Sequence, residues 1–341
     1  MYRRQFNKLM LLGIGSSTYL PWMTSSIVST NNLRRMQKVE RLRPGDTVAL
    51  IAPGSPITEE KLNKAIANMH SLGLKVKYNE NVLLKHGYLA GSDQARLQDL
   101  HEAFADTSVK GIWCIRGGYG CPRLLPRIDY KLIKKNPKLF IGYSDVTALL
   151  HAFYKKARLL CFHGPMGGST FTPFALENIK ATLMEPRESW QIKTHTENNV
   201  YYSIRKGSVE ACLVGGNLSL LCALVGTPYE VDFKNKIVFI EEVGEKPYRI
   251  DRMLTQLRQA SNLRKAAAIV LGVFADCEAD VGDDSLSLKE TLMDRIYDLG
   301  IPAFYGFPTG HIKDQCVLPI GGRVRFNTEK GLMTFIDEYV R

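Results

Sequence analysis

The chain has 341 residues, 45% of them hydrophobic and 23% charged, an ordinary globular composition that excludes collagenous and intrinsically disordered classes. At roughly 150 residues per domain, the length predicts two domains with a sizeable core. The net charge is +11, but Arg3, Arg4, Lys8, Arg34, Arg35 and Lys38 fall in the first 38 residues, which contain no acid. The +5 left on the rest of the chain suits anionic peptides and makes no case for a nucleic-acid partner.

Arg3-Arg4-Gln5-Phe6-Asn7-Lys8 precedes a short apolar run, Leu9 to Ile14, and a small polar continuation. This looks like a twin-arginine export signal and predicts a periplasmic protein, the alternative being a basic tail on a cytoplasmic one. The run is shorter than a membrane span requires, so no stable insertion is expected beyond an uncleaved signal. No A-x-A-like site marks the cleavage point, which is expected between about residues 22 and 40. Residues 1–40 are therefore set apart as signal and linker.

From residue 45 strands and helices alternate. Thr47 to Ala52 predicts a strand, Ile57 to Leu72 an amphipathic helix, Lys75 to Tyr78 a strand, Asp93 to Ala105 a helix and Gly111 to Ile115 a strand. After a glycine turn come a short helix near Pro122 to Pro126, a strand Leu139 to Gly142 and a helix Val146 to Lys156. Such strand-helix repetition implies an α/β fold with a parallel sheet and functional loops at the carboxyl ends of its strands. Residues 45–165 form a first domain, the Gly- and Thr-rich residues 166–205 a connection, and residues 206–335 a second domain. Ala211 to Tyr229 carries no charge, but its glycines and Pro228 favour a buried helix and turn over a membrane span. Strands at Ile237 to Glu241, Ala266 to Phe274 and Ala303 to Gly306 enclose helices at Tyr248 to Gln259 and Leu288 to Asp298.

Several segments could carry chemistry. In Ile141-Gly142-Tyr143-Ser144-Asp145-Val146, Ser144 lies between a buried strand and a helix, where a tight turn exposes a hydroxyl nucleophile; the bland alternative is that Ser144 or Asp145 caps the helix. Arg116-Gly117-Gly118-Tyr119-Gly120 fits neither dinucleotide nor P-loop patterns, but its backbone could supply an oxyanion donor or cradle an anion. Glu241 and Glu242 end an apolar strand, and alternation allows at most one of them to orient a histidine. His311, after Gly310, is the best-placed histidine and His163 the runner-up. The acidic run Asp276 to Asp284 fails the EF-hand pattern, with Val281 and Ser287 at its glycine and glutamate positions. Seven cysteines without CxxC spacing give no zinc signature, and Cys114 and Cys121 are expected to serve as apolar packing rather than to pair.

Taken in order, Ala52-Pro53-Gly54-Ser55-Pro56, the Arg116 to Gly120 turn, Gly142-Tyr143-Ser144-Asp145, Gly215-Gly216-Asn217-Leu218, Gly226-Thr227-Pro228, Glu241 with Pro247 to Leu254, and Gly310-His311 resemble the LD-carboxypeptidase family, serine peptidases that also include microcin C immunity proteins. The resemblance implies a flavodoxin-like N-terminal domain, a smaller C-terminal α/β domain, a site in the cleft between them, and a homodimer. It further implies a triad of Ser144, Glu241 and His311, with an oxyanion hole from the backbone N–H groups of Gly118 and Asp145. Hydrolysis through an acyl-enzyme needs no metal or cofactor. The implied substrate is a murein peptide, the tetrapeptide losing its terminal D-alanine, with Arg116 a candidate for its carboxylate. An immunity-type amidohydrolase of peptidyl or aminoacyl nucleotides, with Trp190 as a base-stacking aromatic, and a non-catalytic periplasmic binding protein are the alternatives.

Overall fold

The computed structural model describes residues 36–187, 189–194 and 200–341; the twin-arginine segment lies outside them. The first sheet is built from β1 (Thr47–Ile51), β2 (Lys75–Lys77), β3 (Val109–Cys114), β4 (Leu139–Gly142) and β5 (Cys161–His163), all paired in parallel in the order β2-β1-β3-β4-β5. That is the flavodoxin-like order. Its crossovers carry α1 (Glu59–Ser71), α2 (Asp93–Ala105), α3 (Cys121–Leu124), α4 (Tyr130–Lys135) and α5 (Thr147–Ala152). Thr58 and Ser92 cap α1 and α2 by accepting from Lys61 N and Ala95 N, which fixes where each helix starts.

The chain then forms α6 (Pro173–Ile179), β6 (Gln191–Lys193), β7 (Tyr202–Arg205), β8 (Ser208–Asn217), α7 (Leu218–Ala223), β9 (Ile237–Val243), α8 (Pro247–Ala260), β10 (Ala268–Ala275), α9 (Leu288–Ile296) and β11 (Ala303–Gly310). Strands β8 to β11 run parallel at the centre of a second, eight-stranded sheet. The uncharged stretch from Ala211 was expected to be helix and turn. It instead opens as strand β8, with only Leu218–Ala223 helical, because Gly215 and Gly216 press so closely on Phe239 and Thr147 that no side chain fits.

The chain end closes on both sheets. β12 (Leu318–Ile320) adds antiparallel to β5 at the edge of the first sheet, whereas β13 (Arg323–Asn327) and β14 (Leu332–Phe335) extend the second. Gly321 N donates to Leu213 O and Leu213 N to Gly322 O, locking the link between β12 and β13 onto β8. At the other end, Val39 is buried and bridges to Val340, and Gln37 bridges to Leu159.

Candidate active site

β4 is wholly buried, and the chain leaves it through Tyr143 and Ser144 into a 3-10 turn, Ser144–Val146, that leads into α5. The turn is tight because Gly142 lacks a side chain: a Cβ there would lie 2.8 Å from Val146 Cγ1 and 3.1 Å from Cys114 Cβ. Ser144 takes φ +59°, a left-handed conformation costing a non-glycine residue on the order of 1 kcal/mol. Neither Ser144 nor Asp145 caps the helix. Asp145 is buried and its Oδ2 accepts from Cys121 N at 2.7 Å, so it ties the Ser144 turn to the glycine turn. Burial raises its pKa, and backbone N–H donors pull it part of the way back.

The glycine turn is fixed from three sides. Ser55 N donates to Gly117 O at 2.8 Å, and Ser55 Oγ accepts from Tyr119 N at 3.0 Å. Gly118 has φ +80° and faces Ser55 where a Cβ would collide. Arg96, buried on α2, donates through Nη1 to Pro53 O and, at 2.9 Å, to Gly120 O. Gly117 is so close to the next loop that a Cβ on it would lie 3.1 Å from Asp145 N. The turns bearing the Gly118 and Asp145 amides are therefore in contact.

The second sheet supplies a carboxylate and an imidazole. Glu241 is fully buried near the end of β9, and its Oε2 accepts from His311 Nδ1 at 2.9 Å. His311 follows the last residue of β11, which runs on through Gly310 where a loop was expected. Gly310 allows this approach, since a Cβ there would lie 3.2 Å from Glu241 Cβ. Burial raises the Glu241 pKa, and the His311 hydrogen bond and charge oppose the rise. Glu242, on the opposite face, accepts from Asn217 Nδ2, Ser219 N, Ser219 Oγ and Val243 N and is structural. The two sheets' groups meet at Tyr143, adjacent to Ser144, whose ring lies edge-on to the His311 imidazole with centroids 4.9 Å apart.

Two family models match this chain, the N-terminal domain of LD-carboxypeptidases over residues 48–164 and the C-terminal domain over residues 210–326. The chain belongs to the LD-carboxypeptidase family. A probable murein peptide carboxypeptidase of Bacillus subtilis is 41% identical over 295 residues, covering 85% of this chain and 92% of the relative. The murein tetrapeptide carboxypeptidase of Pseudomonas aeruginosa is 32% identical over 281 residues, 80% of this chain and 91% of the relative. The crystal structure of muramoyltetrapeptide carboxypeptidase from Oxalobacter formigenes superposes with a TM-score of 0.75 at 32% identity, over 85% of this chain and 99% of that one.

In this carboxypeptidase the remaining candidates separate clearly. His163 is fully buried behind the site, packed on Tyr143 and Phe239, and neither ring nitrogen has a partner; burial drives its pKa down to about 3. It is no exposed base. Arg116 is exposed beyond β3, with Nη1 donating to Pro56 O at 2.7 Å. Trp190 lies at the edge of the second sheet under the Arg187 guanidinium, its backbone bonded to Phe335, and it is not placed by these contacts beside the Ser144 turn. The acidic run forms an exposed loop in which Asp280 pairs with Lys246. All seven cysteines are free, and burial pushes the Cys114 and Cys121 thiols up. Sequence reasoning missed Ser55, Tyr143 and Arg96. An arginine next to Leu97 and four residues before Leu100, on the apolar face of α2, was the one available signal for Arg96.

Proposed function

We propose that the enzyme hydrolyses the L,D peptide bond of murein tetrapeptides and releases the terminal D-alanine through Ser144, His311 and Glu241. The observation that carries this reading is the buried Glu241–His311 pair, brought by Tyr143 to the strained serine turn. With Nδ1 donating to Glu241, Nε2 is the nitrogen left to accept the Ser144 proton as Oγ attacks the scissile carbonyl. Glu241 fixes the tautomer and stabilises the imidazolium. The Gly118 and Asp145 N–H groups receive the oxyanion, His311 returns its proton to the departing D-alanine amine, and water then hydrolyses the ester on Ser144. Trp190, held under Arg187, does not favour the nucleotide-directed alternative.

The test is direct. Incubation with a defined tetrapeptide should yield tripeptide and D-alanine, and rapid quenching should trap an acyl adduct on the Ser144 peptide by mass spectrometry. Absence of D-alanine release overturns the reading of the substrate, and an adduct elsewhere overturns that of the nucleophile.

The same proposal includes periplasmic export by the twin-arginine route and assembly as a homodimer. The buried Val39 and the bond from Gln37 N to Arg158 O support cleavage before residue 37, since later cleavage would remove residues that the fold holds. N-terminal sequencing of the periplasmic protein, and its mass in solution, decide both points.

A further inference from the structure

Three cations converge beside the Ser144 turn without a counter-ion. Lys61 and Lys64 lie one turn apart on α1, on the side that meets residues 167–170. There Lys61 packs its stem against Gly168, Lys64 Nζ donates to Thr170 Oγ1 at 3.1 Å, and Asn68 Nδ2 donates to the carbonyls of Gly167 and Ser169 at 2.8 and 2.9 Å. Arg116 reaches the same region from the end of β3: the carbonyl of Ile115, the residue before it, accepts from Gly168 N at 3.2 Å, and a Cβ on Gly168 would meet both that oxygen and the Lys61 stem. Burial first, then the charges of Arg116 and Lys64, lower the Lys61 pKa. Among the described residues no carboxylate pairs with any of the three, whereas Arg123, after the glycine turn, is paired with Asp93 at 3.0 Å. Grouping like charges is unfavourable, and an anion bound among them reverses that cost.

The cluster is also joined to the catalytic groups. Ser169 hydrogen-bonds the Tyr143 hydroxyl, so three successive residues, Gly168, Ser169 and Thr170, touch Lys61, Tyr143 and Lys64 in turn. At about 3.8 Å per residue those anchor points span under about 8 Å. Gly117, next to Arg116, lies against Asp145.

We propose that Lys61, Lys64 and Arg116 form the recognition site for a carboxylate of the peptide substrate, with Lys61 and Arg116 as its principal donors. This rests on the peptidase reading above. The carboxylate is either the terminal one of the leaving D-alanine or an internal one, and amidated substrates distinguish the two.

The experiment compares wild type with Lys61→Met, Arg116→Gln and the double variant on three peptides: the free acid, its terminal amide and a peptide amidated at its internal carboxylates. On the free acid each single variant should raise KM about 10- to 100-fold with kcat within about threefold, the size of one charge-assisted hydrogen bond. Lys61→Arg should restore most of the loss. Amidating the recognised carboxylate should raise the wild-type KM by the same factor and abolish the difference between variant and wild type. An unchanged KM on the free acid, or an equal loss on all three peptides, overturns the site. Calorimetric binding of the free acid and the two amidated peptides to Ser144→Ala, with and without Lys61→Met, reads the site without turnover. The peptidase reading fails separately, if wild type turns over none of the peptides.

Discussion

Asp145 and Glu241 are both buried carboxylates with pKa values raised by burial, yet they are held in opposite ways. Asp145 faces backbone donors from the glycine turn, with the buried Arg96 charge nearby, and has become a pin that holds two loops together. Glu241 gives Oε2 to His311 and is eased further by the neighbouring Asn217 amide, which also donates to Glu242. Burying a carboxylate costs free energy, and that cost falls when the imidazole beside it becomes cationic. One half of the site is thus organised by backbone sterics, the other by a buried charge that the imidazole beside it offsets.

The largest expected effect is at Ser144, the proposed nucleophile. Ser144→Ala should lower kcat/KM for D-alanine release by about 10⁵- to 10⁶-fold with an unchanged melting temperature, and activity within tenfold of wild type would break the assignment. Glu241→Gln should cost about 10⁴-fold, because the amide no longer enforces the tautomer or stabilises the imidazolium. Glu242→Gln sharpens the contrast: it should cost less than tenfold in rate but about 1–3 kcal/mol in urea denaturation, as a buried hydrogen-bonded acceptor is disturbed. Exchange of those two outcomes would mean that the acid has been assigned to the wrong face of β9.

A smaller effect separates the two regions by pH. His151, whose Nε2 bonds Gly215 O at 2.7 Å, and His163 are buried on the nucleophile side, with burial lowering their pKa values to about 4 and about 3. Their folded pKa values lie below the unfolded value near 6.5, so the unfolded chain binds more protons under pH 6.5. Stability should therefore fall as pH drops from 6.5 toward 4, by up to about 1.4 kcal/mol per pH unit for each histidine. His163→Phe, compared with wild type in urea melts at pH 7 and pH 5, should remove one of those two slopes. An unaltered slope would show that the buried ring is not the acid-sensitive group.

Much of this was legible in the chain. α2 and β4 match their expected limits, since a capping serine and a bounded apolar run mark them. α4 was missed because six residues, started by Asp129 accepting from Lys131 and Leu132 N, are too few to show a period. β5 has three residues and β12 three, and their strand character comes from their neighbours rather than from their own composition. Ser144, Glu241 and His311 stood out because each lies at or after an apolar strand with a glycine within three positions. Lys61 gave no such signal, as an exposed-looking lysine in a helix reveals nothing of the arginine 55 positions away that meets it.

The return of β12 to the first sheet has a mechanical consequence. The backbone passes between the sheets after β5, between β11 and β12, and at Gly321-Gly322, and the last passage is clamped to β8 by two hydrogen bonds. His311 sits at the start of the second passage. The ends themselves are paired, Val39 with Val340, so pulling on them should break that pairing first, and a force–extension trace should then show one cooperative rupture as the strap through His311 and the clamp on β8 give way together.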